Sequence, residues 1–598
     1  MIRYLTLVCI LIYVTQAELK GQVWLDTIEI KGIKPFYGLT IQPDKQYNDS
    51  IYAHITQFLR DINGSQVQIS TPGGLTTLLH RGFGNRHLPV LWQGLNIQNT
   101  LNGSYDLSLI PGFLFDNINF YSTGNPSLSG TNGLAGALTI NNNTFRHTQS
   151  EIYIKSSSLQ NYDAGLMYAG SKNKWHYKAG IQSGYHSNRF NYLYNLKKYN
   201  RHSTDLLQNN IVVNTGYRVR ENQTLQADIW WQYADRIIPV SITSSASTKQ
   251  HQKDNNFRSA LSYKYYTQHS VWNASAVYSR EYLHFEAPAV DSKAKTNVYF
   301  FNAGWTNINR PLYINFQHRM DVSNSNFYTQ RQERNTSSVS ILKPIAWSDA
   351  FQTDISFRQD ITDKIFMPFS WTLSAQFKSL QWIFARNYSL PGLNDLYWPT
   401  GGNPDLKTEK AFKSEIKYTW DFKFLEVKSA IYANLVDNWI QWIPFRNDLW
   451  TPVNQKKVCS RGMELSAKTA FNITKSRIIL QADYAFNRTT AIEHYYDPKL
   501  KNKQLIYVPV HKTQFSALFK KSIFDLGLEY QFTGIRYDAP DETGKLTAVH
   551  MLNFKSSLWL DSHSWQLQIF NLLQQDYYWV RFYPMPGLNA ELTYKYHF

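Results

Sequence analysis

Cysteine, long apolar runs and paired histidines are what this chain lacks. Its 598 residues include two cysteines, Cys9 and Cys459. Cys9 falls in a leader expected to be cleaved, so Cys459 remains alone. That excludes an intramolecular disulfide and a metal site built on thiols. Beyond the N-terminus no apolar run reaches the roughly 18 residues that a membrane-spanning helix needs, so helical spans are excluded. The 16 histidines are scattered. No His-x-x-x-His pair or Gly-x-Ser-x-Gly elbow occurs, so spacing singles out no catalytic residue and an enzyme is not expected. Acidic residues are also in deficit, with 44 against 61 Lys and Arg, for a net charge of +17. The basic residues are spread rather than gathered in a tract. Nucleic-acid binding is therefore not supported, and charges scattered over exposed loops are the plain explanation.

Aromatics are abundant, with Tyr 40, Phe 34 and Trp 18 making 15% of the chain. That share argues against disorder and suits the interfacial girdles of a membrane barrel. The last residues sharpen this reading. Leu592, Tyr594, Tyr596 and Phe598 alternate with Glu591, Thr593, Lys595 and His597. One face of that strand is wholly apolar and needs lipid opposite it, while the polar face turns to the lumen. Trp175, Tyr177, Ala179 and Ile181 alternate in the same way, as do Leu225, Ala227, Ile229, Trp231 and Tyr233.

At the other end, Met1-Ile2-Arg3, the apolar stretch Tyr4 to Val14 and Thr15-Gln16-Ala17 read as a secretory signal over 1–17. From about Thr27 to Ile140 the texture differs: strands are short and broken by Gly, Asn and Pro. One helix is expected over Ser50 to Arg60, with Ile51, Ile55, Phe58 and Leu59 on one side. After about Thr148 alternating strands take over. At about 20 residues per strand with its turn, residues 148–598 give about 22 strands. A barrel that wide is normally plugged, and the globule before it is large enough to be the plug. The expected fold is an all-β membrane protein, a transmembrane antiparallel barrel of about 22 strands around an N-terminal α/β plug. The expected divisions are 1–17 signal peptide, 18–35 periplasmic segment, 36–147 plug and 148–598 barrel.

Several fragments in order resemble one family. Leu59-Arg60-Asp61-Ile62-Asn63-Gly64 is followed by His80-Arg81-Gly82-Phe83-Gly84-Asn85-Arg86. Then come Leu88-Pro89-Val90-Leu91-Trp92-Gln93-Gly94-Leu95, Tyr105-Asp106-Leu107-Ser108-Leu109-Ile110-Pro111 and Gly133-Leu134-Ala135-Gly136-Ala137-Leu138-Thr139-Ile140. Together they resemble the plug of TonB-dependent outer-membrane receptors. In the barrel, Tyr388 to Tyr397, Gly402 to Glu409, Cys459 to Leu465 and Tyr583 to Gly587 are similar to that family's loops and strands, and the terminal Phe598 resembles its assembly signal. Thr123 and Gln93 depart from the pattern, standing where the family commonly has Arg and Asp.

The resemblance implies energised import of a scarce solute across the bacterial outer membrane. It implies TonB as partner, with ExbB and ExbD in the inner membrane. Asp26, Thr27, Ile28, Glu29 and Ile30 resemble the TonB box, a segment that pairs by strand addition. Arg81, Gly82, Gly94 and Gly136 are expected to be structural in the plug. The apical loops, Ser70 to Gly74 and Asn96 to Gly103, are expected to face the lumen and to supply ligand contacts through Thr71, Gln98, Asn99, Leu101 and Asn102. Their amides suit a neutral polar ligand. The compact chain resembles cobalamin receptors, so cobalamin leads, with a ferric siderophore or haem as alternatives. A passive porin or a surface binding protein is the alternative of another class. A surface lipoprotein is a further candidate partner, and no metal or resident cofactor is expected.

Overall fold

The computed structural model describes residues 40–41, 55–122, 130–142, 149–201, 204–244, 249–288, 290–399, 401–446 and 449–598. The expected signal peptide, the TonB-box segment, Ile51 and Thr123 lie outside the described residues.

Alternation dictates the wall. In the strand Leu206–Arg220, Gln208, Asn210, Val212 and Asn214 are buried inward, whereas Leu207 and Ile211 are exposed. The strand Gln223–Ile238 repeats the pattern, with Ile229 outside and Asp228, Gln232 and Arg236 inside. Every such strand has one face for lipid and one for the lumen, and only closure pairs all its backbone groups without water. Each wall strand pairs antiparallel with its neighbours, and the circle closes where Asn589–His597 meets Gln149–Ser157, with Tyr596 opposite Ile152. The result is a closed antiparallel barrel of 22 strands. Wall strands run from 8 to 25 residues, mostly longer than the roughly 10 expected. Two-residue turns at one rim compensate, so the strand count still comes out.

Those tight turns, such as Asn173-Lys174 and Thr474-Lys475, share a rim with the chain's end. Long connections, such as 187–205, 390–408 and 571–588, occupy the opposite rim. In outer-membrane barrels the short turns are periplasmic and the long loops extracellular, which orients the molecule.

The plug fills the lumen. Its larger sheet has the order Thr40–Ile41, Asn117–Tyr121, Ala137–Asn141, Val90–Trp92, Leu95–Asn96, with one parallel pairing between Val90–Trp92 and Ala137–Asn141. Ser65–Ile69 and Thr76–His80 form a separate hairpin. Of the expected helix the described part is Ile55–Arg60, which buries Ile55, Phe58 and Leu59 as its periodicity requires. These residues join Leu78, Leu88, Phe120, Leu138 and Ile140 in one core. The wall contributes Trp230, which is fully buried against Trp92 and Phe115 of the plug. Trp230 stands on the polar side of its strand's alternation because its partner is the plug rather than water.

Two glycines show why the plug sequence is punctuated. Gln93 and Gly94 form the two-residue turn between Trp92 and Leu95 with φ of 49° and 82°, and positive φ at both places is what such a hairpin turn demands. Gly136 has φ of 110°, and a Cβ there would lie 2.1 Å from the Tyr121 carbonyl oxygen, so no side chain fits.

Candidate functional site

Two regions join plug to wall. Deep in the lumen, Arg81 has a left-handed backbone, with φ of 53°, which aims its side chain outward at the wall. Its guanidinium meets Glu415 at 2.6 Å and Glu464 at 2.8 Å and lies over the Tyr432 ring at 4.2 Å. The Arg81 carbonyl accepts a hydrogen bond from Ser460 at 2.5 Å, and Gly82 packs against the Thr489 side chain. Burial alone would lower the Arg81 pKa, but the two carboxylates outweigh it and hold the guanidinium well above its usual value. Burial, reinforced by Arg81, pushes His80 well below the usual histidine range, and its neutral ring bonds the Ser65 hydroxyl at 2.8 Å. Asp106 caps the short 3-10 turn Leu107–Leu109 and pairs with Arg236 of the wall. Lys178 of the wall reaches Asp116 at 2.9 Å. At the helix end, burial and the nearby Glu529 push the Asp61 carboxyl up to about 7.

Near the extracellular rim, the connection after Ser389 folds inward and sits on the plug apex. Leu393 and Asn394 donate backbone hydrogen bonds to the Thr100 and Leu101 carbonyls at 3.1 and 2.7 Å. Asp395 pairs with Arg86 of the plug, accepts from the Gly392 backbone and takes the Trp442 indole at 2.8 Å. Beside it His87 meets Glu409 at 2.9 Å. Asn132 accepts from the Leu390 backbone at 3.0 Å. The apex is therefore held by a loop of the wall.

The sequence-predicted contacts divide between these surroundings. Thr71 is fully buried, its hydroxyl bonded to the Pro584 carbonyl at 2.8 Å. Gln98 is buried and donates to the Asn85 and Leu88 carbonyls at 2.7 and 3.0 Å, bracing the plug. Asn99 bridges to Glu281 of the wall at 3.1 Å. Leu101 packs against Leu393, Ala294 and Tyr328. Asn102 is exposed, with its side-chain oxygen turned to Ser104. Gln98, Asn99 and Thr100 share a cavity of about 100 Å³ with the wall, so the second apical loop does border lumenal space.

Sequence reasoning missed the wall partners Glu415 and Arg236, and charge of lumenal parity on a barrel strand is the signal that marks them. Asp395, Glu409 and Glu464 stood within the family-like stretches Tyr388 to Tyr397, Gly402 to Glu409 and Cys459 to Leu465, without a role. Plug–wall ion pairs are present at these places despite the departures at Gln93 and Thr123. Among the described residues, one group brings metal-ligating atoms within 4.8 Å of one another, His284, Glu286 and Asp291. It lies on the lipid-side parity of its strands near the extracellular rim, where Lys293 already reaches Asp291 at 3.2 Å.

Known proteins agree with this architecture. The family model described as TonB dependent receptor-like, beta-barrel, matches residues 135–572, and that of the TonB-dependent Receptor Plug Domain matches residues 39–137. The chain belongs to the TonB-dependent receptor family. It is a multi-pass outer-membrane β-barrel, in a family of transporters and receptors rather than enzymes, whose members work with TonB on small-molecule ligands. Among curated relatives, the vitamin B12 transporter BtuB of Photobacterium profundum is 23% identical over 559 residues, covering 89% of this chain and 88% of that protein. Among solved structures, the siderophore receptor PiuA of Acinetobacter baumannii superposes with a TM-score of 0.75 at 12% identity, covering 92% of this chain and 95% of that one. The copper transporter OprC does so with a TM-score of 0.75 at 12% identity, covering 92% and 96%. At such identities the two structures speak for the fold alone.

Proposed function

We propose that this receptor imports a corrinoid, cobalamin in the first place, from outside the cell into the periplasm. The observation that carries the reading is the end-to-end likeness to a vitamin B12 transporter, at 23% identity over 89% of the chain. The amides of the apical loop, Asn99 and Asn102, add to it, since a ligand rimmed with amides is well matched by groups that both donate and accept. In this reading Asp26 to Ile30 form the box that TonB takes by strand addition, with ExbB and ExbD supplying the proton-driven pull. Residues 1–17 are the cleaved signal, 36–147 the plug and 148–598 the barrel. A surface lipoprotein capping the long-loop rim and lipopolysaccharide around it complete the proposed surroundings.

Mechanically, a solute on the apex meets the inward loop Leu390 to Asn403, which Arg86 holds through Asp395. Displacing that loop loosens the apex while the Arg81 network still holds the plug to the wall. Pulling on the box then acts against separate side-chain contacts, polar and apolar, rather than a continuous ladder.

Equilibrium binding of cobalamin, haem and a panel of ferric siderophores to the purified full-length receptor tests this. Nanomolar cobalamin binding with the others silent is the expected result. Binding of a ferric chelate with cobalamin silent would replace the substrate and leave the transport class in place. Uptake in cells should disappear when Ile28 is replaced by Pro, which removes a backbone donor from the proposed box strand.

A further inference from the structure

The cavity of about 100 Å³ at the plug apex has an unusual charge balance. Its wall side presents three arginines, Arg319, Arg334 and Arg358, against one carboxylate, Asp321, and its roof is the stretch Leu390 to Gly392. Arg319 grips Asp321 at 2.8 to 3.0 Å and donates to the Asn96 carbonyl at 2.9 Å. Arg358 is likewise engaged, with Asp360, Gln317 and Ser338 each at 2.8 Å. Arg334 differs. One of its terminal nitrogens donates to the Pro391 carbonyl at 2.9 Å, and among the described residues it makes no ion pair. It is half-buried at the cavity's edge, and among the described residues its other N–H groups have no hydrogen-bond partner.

A guanidinium partly withdrawn from water, with no carboxylate at ion-pair distance among the described residues, is costly, and an anion in direct contact with it offsets that cost. Its planar fork matches a carboxylate or phosphate in two parallel hydrogen bonds. Arg319 and Arg358 are each balanced by a carboxylate of their own, so the sign of the group the cavity favours, an anion over a cation, is set by Arg334. The geometry points to Arg334 as the anion-recognising residue of the solute site, taking one carboxylate or phosphate group of the imported molecule at the plug apex. Because Arg334 also holds the Pro391 carbonyl, an anion there competes for the guanidinium that steadies the roof. Capture of the solute is thereby tied to the loop that sits on Thr100 and Leu101. This inference rests on the import reading only in requiring that a solute reach the apex. It does not require that the solute be cobalamin.

The test titrates purified full-length receptor with inorganic phosphate and, separately, with citrate, by calorimetry at low ionic strength. Wild type should bind at least one of them saturably. Arg334→Gln should lose about tenfold or more in affinity, as expected when one charged hydrogen-bonding partner is removed. Arg334→Lys, which keeps the charge but not the fork, should fall between. Arg331→Gln, at an exposed loop residue paired with Glu333 at 2.5 Å, should bind like wild type. Preference for phosphate would assign the group to a phosphate ester and preference for citrate to a carboxylate. No saturable binding by wild type, or equal binding by Arg334→Gln, would overturn the inference. Cobalamin titrated in parallel separates the two readings. Cobalamin bound equally by wild type and Arg334→Gln, with both anions silent, sinks the arginine site and keeps the corrinoid reading. Anion binding that depends on Arg334, with cobalamin silent, does the reverse.

Discussion

The wall and the plug meet across the lumen but are held together by different means. In the wall, Ser270–Ala287 and Val290–Asn307 pair in unbroken register over all 18 residues. In the plug no described strand exceeds five residues. Wall strands satisfy each other around a closed circle, so no backbone group is left to lipid. Plug strands leave many groups over, and these are met by side chains such as Asp106 and Gln98. The wall's outer face is apolar, with Ile229, Leu261 and Phe301 all exposed, whereas the plug meets the wall through side chains, in ion pairs such as Arg81 with Glu415 and Glu464 and in apolar contacts such as Trp92 and Phe115 with Trp230. A closed ladder resists removal of any one strand. A body held by separate side-chain contacts can be released without opening a ladder, which is what a plug in a transporter must allow.

Four substitutions test that contrast, from the largest effect to the smallest. Arg81→Ala strands two buried carboxylates, Glu415 and Glu464, and should cost the plug about 3–5 kcal/mol. Protease digestion and denaturant titration should show the plug loosened while the barrel melts at its normal temperature. If the barrel melts early too, the two regions are one cooperative unit and the contrast fails. Ile229→Arg places a charge on the lipid face and should cost the wall about 2–4 kcal/mol near mid-membrane. Refolding into lipid vesicles should reveal this as a lower yield of closed barrel, with plug protection unchanged in the fraction that closes. Gly94→Ala forces a side chain into the left-handed region and should cost about 1–2 kcal/mol. Hydrogen exchange should report it in the strands flanking the turn and nowhere in the wall.

The last is a matter of pH. Folding raises Asp61 from 3.8 to about 7, mainly by burial. Between those values the folded plug holds a proton that the unfolded chain has released, so the contribution of Asp61 is full below pH 3.8 and falls away as pH rises towards 7. Asp61→Asn should therefore remove a loss of plug stability on going from about pH 4 to about pH 7, leaving a flatter profile over that window. A wild-type profile unchanged by the substitution would show that Asp61 is not the group responsible.

Much of the wall was legible along the chain because a strand's two faces are written in residues two apart, whatever lies elsewhere. Trp175, Tyr177, Ala179 and Ile181 turn outward as their alternation requires. The helix was legible for the same reason, since Ile55, Phe58 and Leu59 share a face within one turn. The candidate site was less so. Thr71 reads as an exposed loop residue, yet it lies buried beneath Pro584, 513 positions away. Gln98 reads as a ligand amide, yet its donors are taken by the plug's own carbonyls. Neither outcome is written near those residues.

By itself the sequence determined an alternating, aromatic-rich barrel of about 22 strands with a glycine-punctuated globule before it, because periodicity and backbone conformation are local properties. Tertiary structure alone decided which charges meet. Arg81 finds Glu415 and Glu464 across 334 and 383 positions of the chain, and Arg86 finds Asp395 across 309. It also left Arg334 without an ion pair among the described residues while Arg319 and Arg358 each kept one. Ion pairing depends on distance in space, and in a barrel that distance is set by where the ladder closes and how deep the plug sits.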